Sequence, residues 1–345
     1  MKTGFITMKN MSTHVGAVCA AALLVGLTSC RKDLCYDHTA HAGSAKAQVQ
    51  SSWECEWERD YGRSWQENWP DEYRQEYEDL CPGAATGIAA FVYHEDGSST
   101  EQHLPAEGGE LPMTPGIKKL LFYNDDTHYI VFNDLNSWAT AAATTRTRTR
   151  VTYSETHADE QTINTPDMLY GEWIEEHEAK PTVEPTVLPI TMRPLVYTYL
   201  VRYEFDEGAE HVALARGALS GMAQAVYLQD GHTSDEVATL LYDCELTDYG
   251  VEAQVTSFGV PSTSSGEYTT RADARFGLNL EVMLANGTMK TFEFDVTDQL
   301  ADQPRGGVIT VSGLKITDEE ASNDSGFTVD VDGWGEHEDI EVPLN

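Results

Sequence analysis

The chain has 345 residues, with 22 lysines and arginines against 57 aspartates and glutamates, a formal net charge of −35, and 41% apolar residues. The apolar share is globular rather than disordered, and the length exceeds what one core ordinarily serves, so two domains are expected. The charge repels phosphate backbones and anionic lipid surfaces, which excludes nucleic-acid partners and polybasic membrane attachment; its plainest role is to keep an exported body soluble.

Lys2 and Lys9 precede an apolar run of thirteen residues from Val15 to Leu27. That run suits a signal-peptide core and is too short for a permanent span. It closes on Leu27-Thr28-Ser29-Cys30, where small residues directly before a cysteine resemble the lipobox of bacterial lipoproteins. The resemblance implies cleavage after residue 29 and a diacylglycerol on Cys30, from a start at Met1 or Met8. Cleavage removes Lys2 and Lys9 and no acid, leaving a mature charge of −37. No later run approaches about 18 apolar residues, so the lipid is the expected membrane contact. Cys35, Cys55, Cys81 and Cys244 remain, free or bridged, at spacings that match no metal knuckle.

Residues 30–46 are short and polar, as a tether would be. From Ala47 to Trp57 apolar residues alternate with Gln, Ser and Glu, which predicts a half-buried strand. In an insertion at 59–80, Trp65, Trp69, Tyr73 and Tyr77 recur every fourth position, and Pro70 suits the start of a short helix. Two readings stand for it: a helix covering the sandwich, or an aromatic platform in which Trp57, Trp65 and Trp69 stack on a glycan.

Short strands follow. Residues 88–93 run into the turn His94-Glu95-Asp96-Gly97; Pro115-Gly116 opens 117–123; Asn124-Asp125-Asp126 turns into 129–132. Arg146, Arg148 and Arg150 share one face of a predicted edge strand, where charge deters aggregation or marks a partner-binding edge. Pro181, Pro185 and Pro189 among acids and Thr predict a stiff linker at 181–189, dividing a sandwich at 47–180 from a second at 190–345. In the second half, Leu195, Tyr197, Tyr199, Val201, Tyr203 and Phe205 occupy alternate positions. So do Phe276, Leu278, Leu280, Val282 and Leu284, ahead of Asn286-Gly287, a pair expected to supply the two positive φ values of a tight hairpin.

Taken in order, several short segments resemble the FimB-like anchor lipoproteins of Bacteroidales fimbriae over about residues 47–345. They are Trp53, Phe122-Tyr123-Asn124 with Thr127, Pro166-Asp167-Met168-Leu169-Tyr170, Ala215-Arg216-Gly217-Ala218, Phe294-Asp295-Val296-Thr297-Asp298 and Val331-Asp332-Gly333-Trp334. The resemblance implies a mainly β chain: two tandem transthyretin-like Greek-key sandwiches after a lipoprotein signal peptide. It also implies a lipid anchor in the outer membrane, facing the periplasm or the exterior, and donor-strand exchange with a fimbrial subunit or other secreted surface protein. The insertion at 59–80 departs from the pattern, and a surface lipoprotein that holds a glycan or host ligand is the alternative. No serine-hydrolase elbow, zinc-protease helix, Walker loop or dinucleotide fingerprint occurs, so no catalytic residue, metal or cofactor is expected. Asp330-Val331-Asp332-Gly333 begins like a calcium loop without the glutamate that should close it.

Overall fold

The computed structural model describes residues 44–54, 83–148, 161–262 and 274–322, with the backbone of 339–340. β1 (Ala45–Trp53) buries Ala45, Ala47 and Val49. It lies between β4 (Gly108–Met113), antiparallel, and β11 (Thr186–Pro194), parallel. The opposing layer runs β3 (Ser99–Pro105), β2 (Gly87–His94), β5 (Gly116–Asn124), β10 (Tyr170–Ala179). The layers join at one corner, where Tyr170 pairs with Pro194 and Gly171 with Arg193, and enclose Val49, Ile88, Leu111, Phe122 and Ile190.

Residues 186–189, expected in a linker, are instead the start of β11. The alternation of Leu188, Ile190 and Met192 into the first core outweighs the proline content. The N–H of Glu54 bonds to the carbonyl of Met192, so the intervening residues 189 and 191 face away from β1. Pro189 therefore lacks an N–H only on the side where β11 has no neighbour, the position a strand proline tolerates. Ala45 and Lys46, expected in the tether, already belong to β1.

The halves interlock. β6 (Ile130–Asn133), β7 (Ala142–Thr145) and β14 (Ala225–Tyr227) form a three-stranded sheet with β7 in the middle. Together with Leu228 and Phe258 it packs on the outer face of β2 and β5, around Phe91 and Tyr123. β2 is thus buried on both faces, the physical reason that 88–93 reads as a continuous apolar run. In the second sandwich one layer runs β16 (Glu245–Thr247), β17 (Gly250–Ser257), β12 (Tyr197–Glu207), β20 (Gly307–Lys315). The other runs β19 (Met289–Asp295), β18 (Gly277–Leu284), β13 (Val212–Ala223), β15 (Val237–Asp243), β9 (Thr162–Asn164), β8 (Thr147–Arg148), β21 (Asp339–Ile340).

Two expectations are corrected here. The arginine-rich stretch is not a sheet edge: β7 is central, β8 lies between β9 and β21, Arg146 connects them, and Arg150 is outside the described residues. The Asn286-Gly287 hairpin has a positive φ only at Gly287, 82°. The N–H of Leu284 bonds to the carbonyl of Thr288, so the loop holds three residues, and the Asn286 side chain accepts the N–H of Thr288. Glu95-Asp96-Gly97 repeats the same design between β2 and β3.

In the second core the Tyr203 hydroxyl bonds both the Tyr242 hydroxyl, at 2.8 Å, and the carbonyl of Asn279, at 3.0 Å. Tyr203→Phe keeps the ring and strips both partners of that bond; it is expected to destabilise the fold by about 1–3 kcal/mol, read from the denaturation midpoint at unchanged slope.

Candidate functional site: sheet edges and the Trp53 cleft

A terminal strand presents a row of unpaired N–H and C=O groups, the surface on which strand addition occurs. Side chains occupy much of that surface here. Between β10 and β11, beyond their shared corner, the Glu172 carboxylate accepts the backbone N–H groups of Trp173 and Thr191 and pairs with Arg193 at 2.5 Å. Burial holds its pKa above the ordinary carboxylate value, with the Arg193 guanidinium opposing. On the opposite side the Gln102 amide of β3 reaches the carbonyl of Glu110 on β4, at 3.0 Å.

The outer edge of β20 is closed most completely. Helix α1 (Thr297–Ala301) and the turn after it present two glutamine side chains to it. The Gln303 amide donates to the carbonyl of Val308 at 2.9 Å and accepts its N–H at 2.7 Å. The Gln299 amide does the same at Thr310, with both distances 2.9 Å. A bulge between Val311 and Leu314 then breaks the strand, and Lys290 of β19 donates to the carbonyl of Lys315 at 2.7 Å. No pattern of period two or 3.6 marks Gln299 and Gln303; the only cue was their spacing of four in Asp298-Gln299-Leu300-Ala301-Asp302-Gln303.

Lys290 also holds helix α2 (Asp318–Ser322), through Glu320 at 2.7 and 2.9 Å. Two of the other terminal strands among the described residues, β3 and β19, expose outward-facing positions. The N–H of His94 bonds to the carbonyl of Ser98 and that of Leu284 to Thr288, so with the strand registers Glu101 and Thr291 point their backbone groups away from the ladder.

Where β1 outruns β4, a cleft of about 490 Å³ is lined by Trp53, Tyr170, Ser51, Glu54, Gly83 and Glu107. Trp53 meets Tyr170 edge-on at 5.3 Å and donates its indole N–H to the carbonyl of Ala106 at 2.9 Å. Glu54 and Gly83, the described residues flanking segment 55–82, both line it. Cys30, Trp57, Trp65 and Trp69, the insertion at 59–80, Cys35, Cys55, Cys81 and the Asp330 segment lie outside the described residues. Cys244 is a free thiol whose pKa burial pushes up, an inert core position rather than a nucleophile. No group of His, Cys, Asp or Glu that could hold a metal ion occurs among the described residues.

Residues 79–243 match a domain of unknown function, DUF5119. Over 289 residues the chain is 24% identical to "Putative fimbrium anchoring subunit Fim4B" of Bacteroides ovatus, covering 75% of this chain and 85% of that one. The sequence is thus similar to that of a Bacteroides protein named as a fimbrium anchoring subunit. The crystal structure of a "putative adhesin" from Bacteroides ovatus shares the fold, with a TM-score of 0.58 at 18% identity over 81% of this chain and 96% of that one. The fimbrial anchor protein Mfa2 of Porphyromonas gingivalis aligns with a TM-score of 0.43 at 11% identity, over 77% and 90% of the two chains.

The Lys290 clamp should open in acid. The hydrogen bond from Lys290, then that from the Thr317 N–H, holds the Glu320 pKa down at about 2. A depressed carboxylate contributes in full above its unfolded pKa, about 4.3, and loses that contribution as pH falls through its folded value. Amide exchange across Thr317 to Ser322 should therefore speed up between pH 4.5 and 2, and Glu320→Gln should remove that pH dependence.

Proposed function

We propose that this protein is a lipid-anchored outer-membrane surface protein, an anchor or accessory subunit of a fimbria assembled by strand exchange. The observation that carries the reading is the sequence relationship to a fimbrium anchoring subunit over 289 residues, most of both chains. The lipobox-like Leu27-Thr28-Ser29-Cys30 supports the anchor, and the sandwiches support a tandem transthyretin-like body. Its partner is a fimbrial subunit or other secreted surface protein. Cys30→Ala should release the protein from membranes into the soluble periplasmic or medium fraction. Complete retention with membranes would overturn the lipid anchor.

For strand exchange, β3 and β19 are the accepting edges to test. Proline at Glu101 or Thr291 removes an outward N–H and leaves the ladder intact, so partner retention should fall at least tenfold while the thermal midpoint moves little. Proline at Thr100 or Lys290, whose N–H groups face the neighbouring strand, should unfold the sheet instead. If retention survives at both outward positions in folded, lipidated protein, exchange at these edges is wrong.

The glycan reading keeps one specific support, the aromatic cleft at Trp53 and Tyr170 flanking the segment that carries Trp57, Trp65 and Trp69. Trp65→Ala/Trp69→Ala should abolish binding on a glycan array if the segment is a stacking platform, and an array empty for wild type ends that reading.

A further inference from the structure

We infer that Gln299 and Gln303 form an edge guard: a pair of side-chain amides that takes the place of a strand beside β20 and keeps this sheet from pairing with a second copy of the chain. The guard is a property of the fold and holds whichever partner the protein serves.

The register shows the substitution. Tyr199 pairs with Gly307, Val201 with Ile309 and Tyr203 with Val311 across the parallel β12–β20 ladder. The outward groups are those of Val308 and Thr310, the two residues that the glutamines bond. Each amide meets both the N–H and the C=O of a single residue, as a neighbouring peptide group would.

The surroundings hold the amides in place. Gln303 is 8% exposed, its amide also donates to the carbonyl of Gln299 at 3.0 Å, and its own carbonyl accepts the Tyr199 hydroxyl at 3.0 Å. Gly307, at φ 154°, is what lets the amide in, because a Cβ there would stand 2.1 Å from the Gln303 Oε1. A bulge and Lys290 cover the rest of the strand, so the edge is managed along its length. With the amides gone, β20 becomes a flat edge carrying Val308, Ile309 and Val311, and two copies can join it antiparallel about a two-fold axis.

The test is Gln299→Met/Gln303→Met in the full purified chain, which keeps side-chain length and packing and removes only the amides. Light scattering should show the wild type monomeric and the variant dimeric or larger at the same concentration. Amide exchange at Val308 and Thr310 should rise at least tenfold in dilute variant, with Ile309 and Val311 unchanged. Gly307→Ala, which pushes Gln303 away, should move both readouts the same way. A folded variant that stays monomeric with unchanged exchange at Val308 and Thr310 overturns the guard. If every variant unfolds, the wild type decides: exchange at Val308 and Thr310 as fast as at Glu101 on the uncovered edge of β3 overturns it, and protection at least tenfold greater supports it.

Discussion

Every sheet that does not close into a barrel ends on strands whose outward N–H and C=O groups need a partner, and the ways in which this chain meets that need organise much of its structure. A carboxylate stands between β10 and β11, an amide bridges β3 and β4, and two amides line β20. In each case the bond runs from side chain to backbone, so the backbone groups it reaches are satisfied without another strand. The economy has a physical use, because an open edge accepts any strand that reaches it. Each group so paired is one fewer place for such a strand to add.

The same need ties the halves together. β7 supplies the middle of the small sheet that packs on the first sandwich, while β8 and β9 extend the second. Ile163 enters the second core, and Phe91 and Tyr123 share a third with Val226 and Phe258. A pull applied to the second sandwich is therefore carried to the first by packed side chains and ladder bonds as well as by the chain at 194–197.

The strands and turns were largely legible. Period-two alternation located β12 and β18, the buried run 88–93 located β2, and Gly97 and Gly287 ended hairpins as expected, with a longer loop than the tight pair implied. The linker was misplaced because proline composition is a local cue, whereas Pro189 sits on an unpaired side of β11 that only the sheet order reveals. The arginine-rich stretch was misread for the same reason: whether a strand is an edge depends on strands far away in sequence. The edge-closing residues Glu172 and Gln102 carried no pattern, and Gln299 and Gln303 only a spacing of four.

The sequence by itself determined which segments are extended and which side chains face a core, because backbone pleating converts alternation into two faces whatever the neighbours are. It also set the net acidic charge and the similarity to a fimbrium anchoring subunit. Only the tertiary structure decided which strands are terminal, what lies beside them and where the halves interlock. Those depend on pairs such as Thr162 with Thr239, or Gln303 with Val308, in which a backbone group's partner is selected by three-dimensional proximity and any residue can supply the backbone side of the bond.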